Sequence, residues 1–275
     1  MKKPHLKIVR SAASALVATV AFGLTGVASA DVIYNSIPSP LPGNYPSLGY
    51  QATSTQEFGE LIKFDAGPRS LTTVTLGMSD WAKHSDYAAL DAAGYNVPLT
   101  LNLYNVGAGN SVGSVIATRT IDSLVPWRPE ASTGCAGGAW MDANGSCFNG
   151  MAFTVAFDFS GVAVPDSIIY GLAFNTQTHG YNPTGVAGPV DSLNFGLTAG
   201  ATVGSDLTPD VAYWNTSHAG FYTDNGAGGT GTFRQDTGWR GTIGAARFET
   251  VPEPGTVALL GLGLAGIALR RRKQS

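Results

Sequence analysis

Apolar and polar residues alternate along this chain in short runs, broken by turn-forming residues. "VIYNSI" (32–37), "EFGELIKFD" (57–65) and "LTTVTLGMS" (71–79) mix apolar and polar residues in this way, most regularly in the last, with Val74, Leu76 and Met78 at every second position. A period of two puts those side chains on one face of an extended strand. Ala66-Gly67-Pro68-Arg69 separates the second run from the third as a turn. "PLTLNLYNV" (98–106) and "GSVIATRTI" (113–121) flank "GAGNSV", the pattern of a hairpin. "MAFTVAFDF" (151–159) and "SIIYGLAFN" (167–175) read as further strands, and "SLNFGLT", "VAYWN" and "TIGAARFET" as weaker ones. Only Tyr87 to Ala93 offers a helical segment, and it is short. No period-3.6 stripe runs long enough for an amphipathic helix, and no repeat recurs at fixed spacing. Many strands spaced by turns predict an all-β fold, an antiparallel β-sandwich or jelly roll. The glycine-dense stretch from Gly180 to Gly244, with "TDNGAGGTGTFRQDTGW" inside it, reads as an extended loop too poor in large apolar residues to build core.

Two uninterrupted apolar runs depart from this pattern, one at each end. "SAASALVATVAFGLTGVASA" (11–30) follows Lys2, Lys3, Lys7 and Arg10 and ends in Ala28-Ser29-Ala30. A basic start, an apolar middle and a small-residue site make a secretory signal. Cleavage between Ala30 and Asp31 is expected, with the Sec translocon and signal peptidase as partners. The second run, Thr256 to Leu269, carries no charge. As a helix it would be about 21 Å long, short for a bilayer core of about 30 Å. Arg270, Arg271, Arg272 and Lys273 follow at once. Such a cluster stays on the cytoplasmic side, and its long stems snorkel to relieve the mismatch. The expected order is a signal over 1–30, one β domain over 31–250 and an anchoring tail over 251–275.

The tail opens with Val251-Pro252-Glu253-Pro254. Two prolines around one carboxylate form a stiff, extended stretch that cannot join a helix, so its backbone stays open to a protease. This stretch, the short apolar run and the arginine-rich end, in that order, resemble the PEP-CTERM sorting signal of Gram-negative bacteria. The resemblance covers about the last 25 residues. It implies recognition by an exosortase-type membrane enzyme, with Pro252, Glu253 and Pro254 as recognition residues and Arg270, Arg271 and Arg272 as the stop-transfer end. It further implies a route through the inner membrane, ectodomain in the periplasm, to the cell surface or extracellular matrix. Such proteins often accompany exopolysaccharide production and biofilm formation.

Charge narrows the possible partners. Four of the sixteen basic residues lie in each terminal segment, and Glu253 is the single acid there, so Asp31–Thr250 holds eight basic and eighteen acidic residues, net about −10. That excludes nucleic acid, which calls for clustered Lys and Arg. Cys135 and Cys147 are the two cysteines. In an exported chain such a pair is expected to form a disulfide that staples the loop between them.

Candidate chemistry is sparse. His84, His179 and His218 are far apart and fit no metal-ligand spacing. No serine lies in a nucleophile elbow. "GAGGTG" (226–231) opens no apolar helix, so it fails as a phosphate cradle. No cofactor is expected beyond a structural Ca²⁺, for which Asp142 and Asn144, or Asp224 and Asn225, set oxygen ligands beside glycines. Ordinary turns share that composition. For glycan contact, Trp81, Trp127, Trp140, Trp214 and Trp239, with Tyr181 and Tyr222, are the aromatic candidates, although tryptophans also serve as core. The resulting expectation is an exported surface or matrix protein that is not an enzyme. A carbohydrate-binding module is the alternative, and a glycoside hydrolase with two carboxylates in a cleft a further one.

Overall fold

A computed structural model of the protein describes residues 30–176, 178–179, 183–239 and 241–251. Within them lie strands β1 (Asp31–Asn35), β2 (Ser47–Gly49), β3 (Glu57–Lys63), β4 (Leu71–Asp80), β5 (Tyr95–Val106), β6 (Val112–Val125), β7 (Trp140–Met141) and β8 (Cys147–Phe148). β9 (Met151–Asp158), β10 (Ser167–Ala173), β11 (Leu193–Thr198), β12 (Ser205–Asp206), β13 (Val211–Trp214), β14 (Arg234–Thr237), β15 (Ile243–Gly244) and β16 (Ala246–Thr250) follow. The signal segment and the tail from Pro252 onward lie outside the described residues, and with them Ala28, Pro252, Glu253, Pro254, Arg270, Arg271 and Arg272.

The fold is all-β, and its strand ladders are antiparallel. In the first sheet β4 is the hub: it pairs β9 along Thr73–Asp80, and on its other edge β16 and then β11. β1 extends β16, while β2 and β15 extend β11. The second sheet runs β14-β13-β3-β10-β5-β6, with β12 also on β3. Inward side chains from both sheets form one core. β5 shows why the sequence folds this way: Tyr95, Val97, Leu99, Leu101 and Leu103 are buried, whereas Asn96 and Pro98 are exposed. Phe58 lies stacked between Phe195 and Trp214, with centroids 6.0 and 5.8 Å away.

β3 and β10 are buried on both faces. The outer face of the second sheet carries a separate cluster, Leu61, Ile169 and Tyr213, against which Tyr104, Val211 and Phe233 pack. The glycine-dense region therefore departs from the extended-loop expectation. It contains β11 to β15 and buries Leu193, Phe195, Tyr213, Trp214 and Tyr222. Its few large side chains suffice because each is anchored: the Arg234 guanidinium lies 3.7 Å from the Tyr222 ring centre. The helix expected over Tyr87–Ala93 is also absent. Turns occupy it, preceded by a single 3-10 turn at His84–Asp86. Asp91 Oδ1 accepts from the Ala93 amide at 2.8 Å, which closes a turn in a segment too short to repay helix nucleation.

Candidate functional site

The loop between β4 and β5 turns back over the end of the sandwich and, with Gly188 and Pro189, encloses a groove of about 730 Å³. Asp86, Tyr87, Leu90, Asp91, Tyr95 and Pro189 are among the residues that line it. Tyr87 stacks on Trp127, centroids 5.8 Å apart and planes inclined by 11°. Tyr95 meets the same indole at 5.0 Å, and the His84 ring lies 5.7 Å away. The indole N–H donates to the Asp91 carbonyl at 2.8 Å, which fixes the ring under the loop. Tyr87 and Tyr95 thus line the groove with Trp127 behind them, and Tyr87 is only half-buried.

Behind Tyr95 lies Asp80, with no solvent exposure. The Tyr95 hydroxyl donates to Asp80 Oδ1 at 2.9 Å and lies 3.2 Å from the Pro189 carbonyl. Asp80 Oδ2 has no hydrogen-bond partner. Burial pushes the Asp80 carboxyl up to about 7, against the lowering effect of the Tyr95 hydroxyl, two backbone amides and Arg128. Burial, followed by the Asp80 charge, raises the Tyr95 phenol well above its usual range. The carboxylates on the groove itself are already engaged: Asp86 pairs with Lys83 at 2.8 Å and Asp91 closes its turn.

The sequence candidates scatter over the fold. Trp81 is 45% exposed, its N–H on Ser79. Trp127 backs the groove, against Tyr87 and Tyr95. Trp140 is buried, its N–H donating to the Gly150 carbonyl at 2.7 Å, and Trp214 and Tyr222 are core. Trp239 meets Trp214 edge-on at 5.1 Å. Trp140, Trp214 and Tyr222 therefore cannot be stacking platforms; they fill the interior, the other role open to large rings. Tyr181 lies outside the described residues.

His84 packs on Trp127 at 5.7 Å, and His218 packs on Phe221 at 4.6 Å. Among the described residues no three His, Cys, Asp or Glu side chains form a set that could hold a metal ion. In the candidate calcium turns, Asp142 Oδ1 accepts from the Asn144 and Ser146 amides at 2.9 and 2.8 Å. Asp224 accepts from the Gly226 and Gly228 amides and pairs with Arg234 at 2.8 Å, a bond that holds its carboxyl below its usual range. Asn225 adopts a left-handed φ of 51° within that turn. Both aspartates therefore act as turn-closing acceptors here. Cys135 and Cys147 form the expected disulfide, Cα atoms 5.7 Å apart, across the β7–β8 ribbon.

Sequence reasoning missed three buried carboxyls: Asp80, Glu57 and Glu60. Burial raises both glutamates. Glu57 accepts from Asn102 and Tyr104 at 3.0 and 2.8 Å. Glu60 faces the core, 2% exposed, where the Asp206 charge adds to the effect of burial. Strand alternation in "EFGELIKF" was the available signal. It places Glu60 on the same face as Phe58 and Ile62.

The two ends of the β domain meet at the other functional feature. β1 and β16 are neighbours in register Asp31↔Thr250. Thr250 is fully buried, and its hydroxyl donates to the Asp31 carbonyl at 3.2 Å. The Val251 amide donates to the Ser70 carbonyl at 3.1 Å. Residues 250–273, which begin at that buried threonine, match the PEP-CTERM protein-sorting motif. No curated protein and no solved structure matches the chain. The motif supports an exported protein with a C-terminal anchor, processed by an exosortase-type enzyme.

Proposed function

We propose that the sandwich is a non-catalytic surface or matrix protein that attaches to the exopolysaccharide of the cell that makes it, through the groove lined by Tyr87 and Tyr95 and backed by Trp127. The route runs from the periplasm to the surface, as the sorting tail implies. The single observation that carries the binding role is the half-exposed Tyr87 ring, held flat against Trp127 at the edge of an open groove. Sugar rings present flat C–H faces to aromatic rings, and the neighbouring carbonyls and Asn96 supply hydrogen bonds. A net charge near −10 on the domain favours a neutral or cation-bridged polymer over a polyanion.

The non-catalytic reading rests on how the carboxylates are used. Asp86 and Asp91 serve an ion pair and a turn, and Asp80, the acid tuned toward neutrality, is sealed behind Tyr95. The test is a pull-down of residues 31–251 against the native exopolysaccharide, with and without EDTA, and an assay of the supernatant for released sugar. Binding without release is expected. Released oligosaccharide would replace this reading with a hydrolase. No binding would leave the sorting tail as the functional element.

A further inference from the structure

The sorting motif has almost no spacer from the folded domain. Its first matched residue, Thr250, is fully buried, flanked on one side by Asp31 and on the other by Leu71. Val251 is still held by Ser70. Between Val251 and the start of the apolar run at Thr256 lie only Pro252, Glu253, Pro254 and Gly255. Fully extended, that stretch reaches about 17 Å. The headgroup zone of one leaflet takes about 5–8 Å of it. The gap left between sandwich and membrane surface is about 10 Å, the diameter of one helix. A folded periplasmic protease does not fit there. An enzyme that reads Pro252 to Pro254 from within the membrane has to meet the end of the sandwich.

That end is a defined surface. The Asp65 amide donates to the Ile33 carbonyl and the Phe64 amide to the Asp166 carbonyl, both at 2.9 Å, which ties the turn after β3 to β1 and to the turn before β10. Ser70 bridges to Ala163. Its tip exposes Asp31, Asp65 and Asp166, with Arg69 paired to Asp166 at 2.9 Å and Arg119 over the Phe159 ring.

We propose that this end of the sandwich, formed by Asp31, the turns at 64–70 and 159–166, and Val251, is a docking face for the membrane-embedded enzyme that processes the tail. The proposal rests on the tail acting as an anchor. The complex would be oriented by the fold, with the motif presented in register because β16 pins its first residue.

The test uses the full chain in producing cells, with tail processing followed by immunoblot in a pulse-chase. One variant inserts twelve Gly/Ser residues between Val251 and Pro252. A second reverses one tip charge, Asp65→Lys. Docking predicts at least fivefold slower processing for both, with the thermal midpoint of the Asp65→Lys domain unchanged. Processing of either at the original rate, or faster, overturns the docking face and leaves a linear motif read alone. Both variants are also expressed in cells lacking the enzyme, where each should stay with the membrane fraction. Release there would overturn the anchor reading, and the docking face with it.

Discussion

Tyr87 lies almost parallel to Trp127, 11° between ring planes at 5.8 Å, and the Trp127 N–H is tied to the loop that carries Tyr87. The wall of the groove is thus set by packing before any ligand arrives, which limits the ordering cost of binding. Tyr87→Ala should weaken polysaccharide binding about tenfold, ~1.4 kcal/mol, and cost about 1 kcal/mol of stability through the lost stacking on Trp127. Trp127→Ala should lose binding and stability together, since that indole supports three rings. Affinity electrophoresis and thermal denaturation separate the two effects.

Asp80 predicts an unusual pH response. Its carboxyl moves from an ordinary 3.8 to about 7 in the fold, chiefly through burial. Between those values the folded protein holds a proton that the unfolded chain has released. The resulting stability is fully present below about pH 4 and is lost as pH rises through about 7. At 1.36 kcal/mol per unit the upper limit is about 4 kcal/mol. Glu57 and Glu60 act in the same direction. Denaturant midpoints should therefore fall from mildly acidic to neutral pH, and Asp80→Asn should flatten that fall. A midpoint that rises across this range would refute the assignment.

Gly59 and Gly171 face each other across β3 and β10. A methyl group at Gly59 would run into the Tyr170 carbonyl, and one at Gly171 would displace Glu57 and the Phe233 ring. Gly59→Ala should cost about 2–4 kcal/mol, near the top of the range for single substitutions. Gly171→Ala should cost less, because its neighbours are side chains that can move. Urea unfolding of the two variants tests the order.

The disulfide staples a ribbon that shares no ladder with either large sheet. Its sequence separation is 12 residues, for which loop closure contributes about 3 kcal/mol. A Cys135→Ser, Cys147→Ser double variant should unfold earlier by about that amount. Arg128, which donates to the Gly138 carbonyl, and Trp140 should still hold the ribbon to the sandwich. Limited proteolysis should then cut first between residues 133 and 148.

Much of the fold was legible because burial writes a period of two. The β5–β6 hairpin, β4 and β9 fall where alternation places them, and the Gly107–Ser111 connection follows its glycines. β14 was not legible. "RQDT" is polar throughout and is a strand because β13 beside it supplies hydrogen bonds, while Asp236 accepts from Trp214 and Thr223. The sorting tail was legible from order and position alone, since a linear signal needs no tertiary structure. The groove was not. Trp127 and Tyr87 are forty residues apart in sequence, and composition could not separate Trp127 from Trp214, which is core. Only the return of the β4–β5 loop onto the end of β6 brings the first pair together.

The most direct test of the account is a binding isotherm of residues 31–251, intact and with Tyr87→Ala, against purified exopolysaccharide from the producing cell. Saturable binding by the intact domain, weakened about tenfold in the variant at a temperature where both are fully folded, is the result the account predicts. Equal binding by both proteins, or none by the intact domain, would contradict the groove as the point of attachment.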